Sequence, residues 1–483
     1  MFKGTIYLTI SQVVFVITSF FLHPYLGRKL GPELYGIFGV ISALIMINEL
    51  TLMKGVYETI SKFVAEREGV AKTIIRGTLK ILTIGSLIVG GICYIFAEQI
   101  ASLMNDPELT SYIKLFAITI PLTGISTVFL GVLNGLRQFG RQAFISIIFS
   151  VVRFISVIIL VFLGFSIKGV IIGLIISDLF RLIMAKGLCK PLGTVDDFDS
   201  KKMFSFALQL MIIALITSLV MNIDLLAVKV ILKENLQTGL YTSAVTIAKI
   251  PPYLIMPLSL TALPTISKSV AEGDMMLTEA HIKQSLRLLL MLVLPLSLII
   301  IATSENCISL FYGNKYVQAA GPLRILIIGG IFLSIKVVMQ NVIVGAGWPR
   351  YVVYIGVLSL FIDIMLIVTL INKIGMGGAA LASTFTHLFG FLLSYGYVAK
   401  KFMTHVIPIF LIRIGLASLI IYFIATVYSP SGIMLLFYYA LLLCLFFLIL
   451  VMMKEINLME IKLKLIRTWE TLSLKNISEK FSK

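Results

Sequence analysis

The chain has 483 residues, 59% of them hydrophobic and only 13% charged, whereas a soluble domain carries about a quarter charged residues. Apolar runs recur at the length that crosses a hydrocarbon core, about twenty residues, which excludes an ordinary soluble helical protein; the runs are also too long, and too free of period-two alternation, for barrel strands. A formal net charge of +17 would point to nucleic acid in a soluble protein, but here its placement matters more than its sum, and no nucleic-acid partner is expected.

In chain order, about fourteen spans are expected near 4–27, 34–55, 74–104, 110–136, 142–163, 166–188, 203–226, 239–264, 283–311, 321–345, 350–371, 377–398, 408–428 and 432–453. The first run follows Lys3 and ends at Gly27-Arg28-Lys29 without a small-x-small cleavage pattern, so it is read as an uncleaved span. Between the second and third spans, Val56, Ile60, Phe63 and Val64 share one helical face flanked by Glu58, Lys62, Glu66 and Arg67. That pattern fits an interfacial amphipathic helix or an extension of the second span. Lysine and arginine crowd alternate loops (Lys54 to Lys80, Arg137, Arg141, Lys186 to Lys202, Lys400, Lys401) roughly threefold over the others. Both termini are therefore expected in the cytoplasm, which requires an even number of spans.

The polar stretch PLGTVDDFDSKK, Pro191 to Lys202, follows six spans and precedes six more. The expected organisation is a six-helix lobe over 1–190, a cytoplasmic linker over 191–202, a second six-helix lobe over 203–400, two additional helices over 401–453 and a basic amphipathic cytoplasmic tail over 454–483. The two lobes resemble each other. GLRQFGRQ at Gly135 matches GAGWPRYV at Gly345, GVIIGLIISDLF at Gly169 matches GAALASTFTHLF at Gly378, and Leu34-Tyr35-Gly36 matches Leu240-Tyr241-Thr242. A near-constant offset argues for a duplicated unit; an even number of spans gives the copies the same orientation in the membrane.

Nothing in the sequence points to catalysis or a cofactor. His23, His281, His387 and His405 lack metal-ligand spacing, and Cys93, Cys189, Cys307 and Cys444 form no C-x-x-C pair. No Walker-type loop is present, so movement is expected to draw on an ion gradient, the membrane potential or the substrate's own gradient. Charges within spans are costly and usually face a cavity or a partner. Arg153, Lys249 and Lys336 come from both lobes and fall mid-span. Facing one interior, they suit a phosphate or pyrophosphate; pairing with Asp178, Asp224 and Asp363 is the alternative. Asp178 and Arg181 are three apart and can pair locally. Asp224 and Asp363, with Thr384 or Thr386, offer the hard oxygen ligands of a sodium or proton site. The eighth span holds Pro251, Pro252, Pro257 and Pro264 and must bend or break.

LGRKLGPELYGIFGVISAL at Leu26 to Leu44, Asp224 to Ala244 ending TGLYTSA, and GMGGAALASTFTH at Gly375 resemble signatures of the oligosaccharide flippase branch of the multidrug, oligosaccharidyl-lipid and polysaccharide exporter superfamily. The resemblance covers nearly the whole chain. It implies an all-α integral membrane fold, two pseudo-symmetric six-helix lobes around a central cavity plus two C-terminal helices, working by alternating access. It also implies a saccharide on a polyprenyl phosphate or pyrophosphate as substrate, with membrane lipids around it and Arg153, Lys249 and Lys336 in a cationic cavity. In the peptidoglycan-precursor branch a cation site uses acidic residues of the seventh and eleventh spans, where Asp224 and Asp363 lie. A monomer is expected. Two other readings share the sequence: an ion-coupled drug or cation antiporter of the same superfamily, and a non-transporting membrane scaffold of a glycan synthesis complex.

Overall fold

A computed structural model describes residues 2–66, 71–190, 200–253, 266, 269–270, 272–402 and 409–455. These residues form helices α1 (Phe2–Leu52), α2 (Glu58–Glu66), α3 (Ala71–Ile95), α4 (Ala97–Leu103), α5 (Leu109–Ala117), α6 (Thr119–Gly135), α7 (Phe139–Phe162), α8 (Ser166–Leu188), α9 (Ser200–Val220), α10 (Ile223–Leu232) and α11 (Asn235–Ala248). There follow α12 (Ile250–Tyr253), α13 (Met275–Ala302), α14 (Ser304–Tyr312), α15 (Ala320–Gly345), α16 (Pro349–Ile374), α17 (Met376–Phe402), α18 (Ile409–Val427) and α19 (Met434–Met452). Among the described residues, eleven helical segments are long and apolar enough to cross a membrane. The protein is a multi-pass membrane protein.

The longest of these segments holds two expected spans. Gly31, at φ 76° and ψ 168°, interrupts α1, a left-handed position open to glycine; the chain reverses there, and Pro32 starts the second pass. The sixth expected span, α8, falls outside the eleven because Lys168, Asp178, Arg181 and Lys186 lie along it. The eighth begins as α11 and α12; Pro257 and Pro264 lie outside the described residues, as do nearly all of the linker and of the basic tail. Several expected spans are broken helices: α3 gives way to α4 at Phe96, α5 to α6 at Ile118, α9 to α10 at Met221-Asn222 and α13 to α14 at Thr303.

Side-chain distribution follows from the solvent. Apolar residues such as Ile155, Phe423, Phe437 and Leu441 are exposed, as lipid-facing residues are. Small polar residues occupy contacts between helices: Ser150, Ser177, Ser218, Ser243 and Thr386 are completely buried. Small side chains let backbones approach, and the four serine hydroxyls bond to the preceding turn. Of the cysteines, Cys189 and Cys307 are buried, Cys93 is half-buried and Cys444 is exposed.

The segment after the second pass extends that pass. A π-turn, Met53–Tyr57, leads into α2, and Val56, Ile60, Phe63 and Val64 are buried in a core with Val128, Val132 and Leu133 of α6. A Cβ on Gly131 would sit 3.0 Å from Ile60 and one on Gly135 2.7 Å from Val64, so the amphipathic face serves helix packing rather than the membrane surface.

The repeats seen in sequence correspond to repeated geometry. After Gly135 the chain turns at Arg137 (φ 55°) into α7, and after Gly345 it turns at Gly347 (φ 85°) into α16. In the next hairpins, a Cβ on Gly169 would lie 3.1 Å from the Leu160 carbonyl carbon, and one on Gly378 2.2 Å from Leu370 O. The third pair of repeats meets face to face: Gly36 of α1 lies against Gly239 of α11, and a Cβ on either would fall within 2.2 Å of the other helix's backbone oxygen.

Candidate functional site

That glycine crossing belongs to a seal at the end of the molecule that carries Gly31. Tyr35, Tyr312 and Tyr316 pack as a buried cluster, with Tyr35 Oη 3.1 Å from Tyr312 Oη. Tyr316 donates to Gly27 O at 2.7 Å, and Arg28 donates to Phe311 O at 2.9 Å. Beside them, Asp106 before α5 accepts from Lys229 of α10 at 2.7 Å and from Asn235 of α11 at 2.8 Å, and Lys229 also donates to Asn235. Lys229 is 1% exposed. A cavity of about 420 Å³ overlies this triad. Apart from the Tyr312–Tyr316 and Lys229–Asn235 contacts, these join the first 110 residues to residues beyond 228.

The polar interior lies below the seal. Arg153 of α7 donates to Ser19 of α1 and stacks on Phe15, 4.6 Å from the ring centre, and Phe149, 5.6 Å. Its Nε is buried without a partner. Lys249, at the end of α11, has the Met46 sulfur at 3.9 Å as its contact, a weak acceptor for an ammonium. The Lys336 stem lies along Gly390, 2.8 Å from where a Cβ would stand. Among the described residues none of these three makes an ion pair within 4.0 Å, whereas Arg181 pairs with Asp178 at 2.7 Å and approaches Glu49 at 3.9 Å. Arg181 also donates to Thr123 at 3.1 Å and lies over Phe149. The acids balance the cations in number, with Glu49 and Asp178 in electrostatic reach of Arg153, Asp224 of Lys249 and Asp363 of Lys336. Direct contact is confined to Arg181, so the local Asp178–Arg181 pair forms while the other cations keep their donors.

Arg153 and Lys249 both lie within electrostatic reach of His23, Lys249 also of Asp224, and Lys336 stands with Asp363 and His387. Asp224 and Asp363 lie within reach of each other. Asp224, 4% exposed, accepts from Tyr241 at 2.8 Å and from Leu225 N at 2.8 Å. Asp363, 1% exposed, accepts from Thr386 at 3.0 Å, and its Oδ2 is buried without a partner. Carboxylate and hydroxyl oxygens are of the donor type that suits a hard cation. Of the two threonines, Thr386 reaches this group; Thr384 donates to Ile325 O at 3.0 Å on α15.

The duplication relates several of these positions. Arg153 lies eighteen residues after Gly135, and Asp363 eighteen after Gly345. Asp178 lies nine after Gly169, and His387 nine after Gly378. Equivalent positions thus carry Arg153 against Asp363 and Asp178 against His387. Composition and spacing missed His23, Tyr241 and Lys229; for the first two, the repeated Leu-Tyr pair was the signal, since Tyr35 and Tyr241 are its tyrosines.

Comparison with known proteins places this geometry. The chain is 22% identical over 405 residues to the "Probable low-salt glycan biosynthesis flippase Agl15" of Haloferax volcanii, covering 82% of this chain and 83% of that one. Among solved structures it resembles the lipid II flippase MurJ in an inward closed conformation, with a TM-score of 0.75 and 16% identity over 94% of this chain and 98% of that one. It also resembles an inward-facing multidrug resistance transporter of the MATE family, with a TM-score of 0.70 and 15% identity over 83% of this chain and 98% of that one. The all-helical transporter fold of that superfamily is therefore the fold of this protein. The sequence profile of the polysaccharide biosynthesis proteins matches residues 25–321, more than half of the chain, and the protein belongs to that family.

Proposed function

We propose that the protein flips a saccharide linked to a polyprenyl phosphate or pyrophosphate across the cell membrane by alternating access. The observation that carries this reading is the pair of half-buried cations, Arg153 and Lys249, without an ion-pair partner among the described residues. An unpaired charge held partly out of water is costly, and an anionic head group entering from outside the protein supplies what is missing. A sugar's hydroxyls cost several kcal/mol each to strip of water unpaired; the serines, threonines and charged groups of the interior offer replacement partners while the lipid tail stays in the bilayer. Flippase relatives within the family, such as the glycan biosynthesis flippase above, support the same substrate class. A drug or cation antiporter shares the fold, but an interior presenting unpaired cations disfavours organic cations.

Several finer points belong to this reading. The chain makes fourteen passes with both termini in the cytoplasm and two six-helix lobes joined through 191–202, and it works as a monomer. The seal at the Gly31 end then closes the outer face. Asp224, Asp363 and Thr386 bind sodium or a proton and couple it to the cycle, with Lys336 beside them. Native mass spectrometry of protein purified gently from its own membrane tests the substrate class. A retained polyprenyl phosphate or pyrophosphate glycan is expected. Protein that retains none, and shifts on adding small amphiphilic cations but not such glycolipids, overturns it in favour of the antiporter.

A further inference from the structure

The two halves present their polar groups in the same way. In the second half, Tyr241 of α11 donates to Asp224 at 2.8 Å, and Asp224 neighbours Asp363. In the first half, the tyrosine of the matching Leu-Tyr pair, Tyr35, bonds at 2.9 Å to His23 Nδ1, and His23 neighbours Arg153, which occupies the repeat position of Asp363. Each half thus joins its repeat tyrosine to a polar group, His23 near Arg153 in the first and Asp224 near Asp363 in the second, with cation and carboxylate exchanged between the repeat positions of Arg153 and Asp363. If the acidic pair takes a cation, His23 and Arg153 take an anion.

The surroundings of His23 agree. The ring is edge-on to Tyr35 and tilted over Phe38, which fixes its plane. Ser19, the residue that holds the Arg153 guanidinium, lies one helical turn before His23 on α1, so the two groups share a helix face. Thr246 lies beside the Tyr35 and Tyr312 hydroxyls, and Lys249 follows it by three residues on the same helical segment. Ser19, which holds Arg153, thus lies one turn from the histidine, and Lys249 one turn from Thr246 beside the tyrosines, both on the interior side of the seal. Nδ1 is occupied by Tyr35; Nε2 has no partner among the described residues.

We propose that His23 is a ligand of the anionic head group, donating from Nε2 to a phosphate oxygen held by Arg153 and Lys249. This rests on the anion-site reading above and deepens it. The chain of hydroxyls supplies the tautomer. Tyr35 can donate to Nδ1 or accept from it, and Tyr312 and Thr246 can serve either arrangement by rotating a hydroxyl, with no heavy atom moving. An anion beside Nε2 selects the arrangement in which Tyr35 donates to Nδ1 and the ring carries its proton on Nε2. Tyr312 belongs to the second half and Tyr35 to the first, so the chain is complete only while the seal is closed. Tyr35 and Tyr312 are positioning residues: they orient the donor without touching the ligand.

The test uses the full-length protein in detergent with farnesyl diphosphate, an isoprenoid diphosphate without sugar, as the probe. Affinity is read by calorimetry and the His23 tautomer by nitrogen-15 NMR of histidine-labelled protein. Loss of one charge-assisted donor is expected to weaken binding about tenfold or more in His23→Leu. His23→Gln, whose amide nitrogen stands where Nε2 stood, keeps most of it. Farnesyl diphosphate is expected to drive wild-type His23 to the Nε2-protonated tautomer, and Tyr35→Phe to lose that shift. If Arg153→Ala loses binding while a folded His23→Leu binds like the wild type, the assignment of His23 is wrong and the anion site stands. If the wild type does not bind the probe, or Arg153→Ala binds it as tightly, the anion site itself falls. Should His23→Leu fail to fold, a wild-type tautomer that does not respond to the probe overturns the assignment alone.

Discussion

Replacing Asp106 by alanine is predicted to open the Gly31 end of the molecule. In the closed structure the Lys229 ammonium is 1% exposed and is held by Asp106 at 2.7 Å, with Asn235 as its other partner. Removing one member of a buried pair leaves an uncompensated charge and costs about 3–5 kcal/mol. That cost falls on the closed state alone. Asp106 stands before α5 and Lys229 on α10, and separating the two halves returns the ammonium to water. The ratio of closed to open molecules should therefore fall by roughly two to three orders of magnitude, at about 1.4 kcal/mol for each tenfold. Spin labels at Lys168 and Lys315, both exposed, read the opening as a shift of their distance distribution to longer values. Combining Asp106→Leu with Lys229→Met removes both charges and should restore most of the short-distance population, since an apolar replacement of a buried pair is often near neutral. A folded Asp106→Ala protein with the wild-type distribution would refute the latch.

Three further outcomes follow from named contacts. Gly239→Ala places a Cβ 1.8 Å from Pro32 O, which is backbone and cannot yield; it should lengthen the same label distances, whereas Gly77→Ala on α3, with nothing within 4 Å, should leave them unchanged. Glu455→Ala strands Arg287 and Arg413, which reach its carboxylate at 2.7 and 3.1 Å; the melting temperature in detergent should drop by an amount equivalent to about 1–3 kcal/mol, and an unchanged value contradicts the anchoring of α19. Sodium should raise the melting temperature of the wild type but not of Asp363→Asn or Thr386→Val, while Thr384→Val, whose hydroxyl serves α15, should keep the response; a response that survives Asp363→Asn places the ion elsewhere.

How far the sequence was legible depends on the range of the interaction. Hairpin turns were readable because they are local: Gly135, Gly169, Gly345 and Gly378 stand where helices approach or reverse within a few residues. Apolar length located the spans, but breaks such as those at Phe96 and Ile118 lie inside apolar runs and leave no mark on hydropathy. The seal was hidden because its partners are distant, with Asp106 and Lys229 123 residues apart and Tyr35 and Tyr312 277 apart. Arg153, Lys249 and Lys336 were legible as costly charges within spans. Which acids and histidines each of them neighbours was not, because that depends on which helix faces which. His23 looked like one of four scattered histidines until Tyr35 was seen to hold it.

The most direct measurement is flipping in proteoliposomes. A polyprenyl-pyrophosphate saccharide is placed in the membrane, and access of its sugar to an external glycosidase is followed over time. Wild-type protein should expose the inner-leaflet pool well above the protein-free rate, and Arg153→Ala with Lys249→Ala should fall to that rate while remaining folded. Wild-type flipping no faster than protein-free liposomes, or full activity in the double variant, would contradict the account.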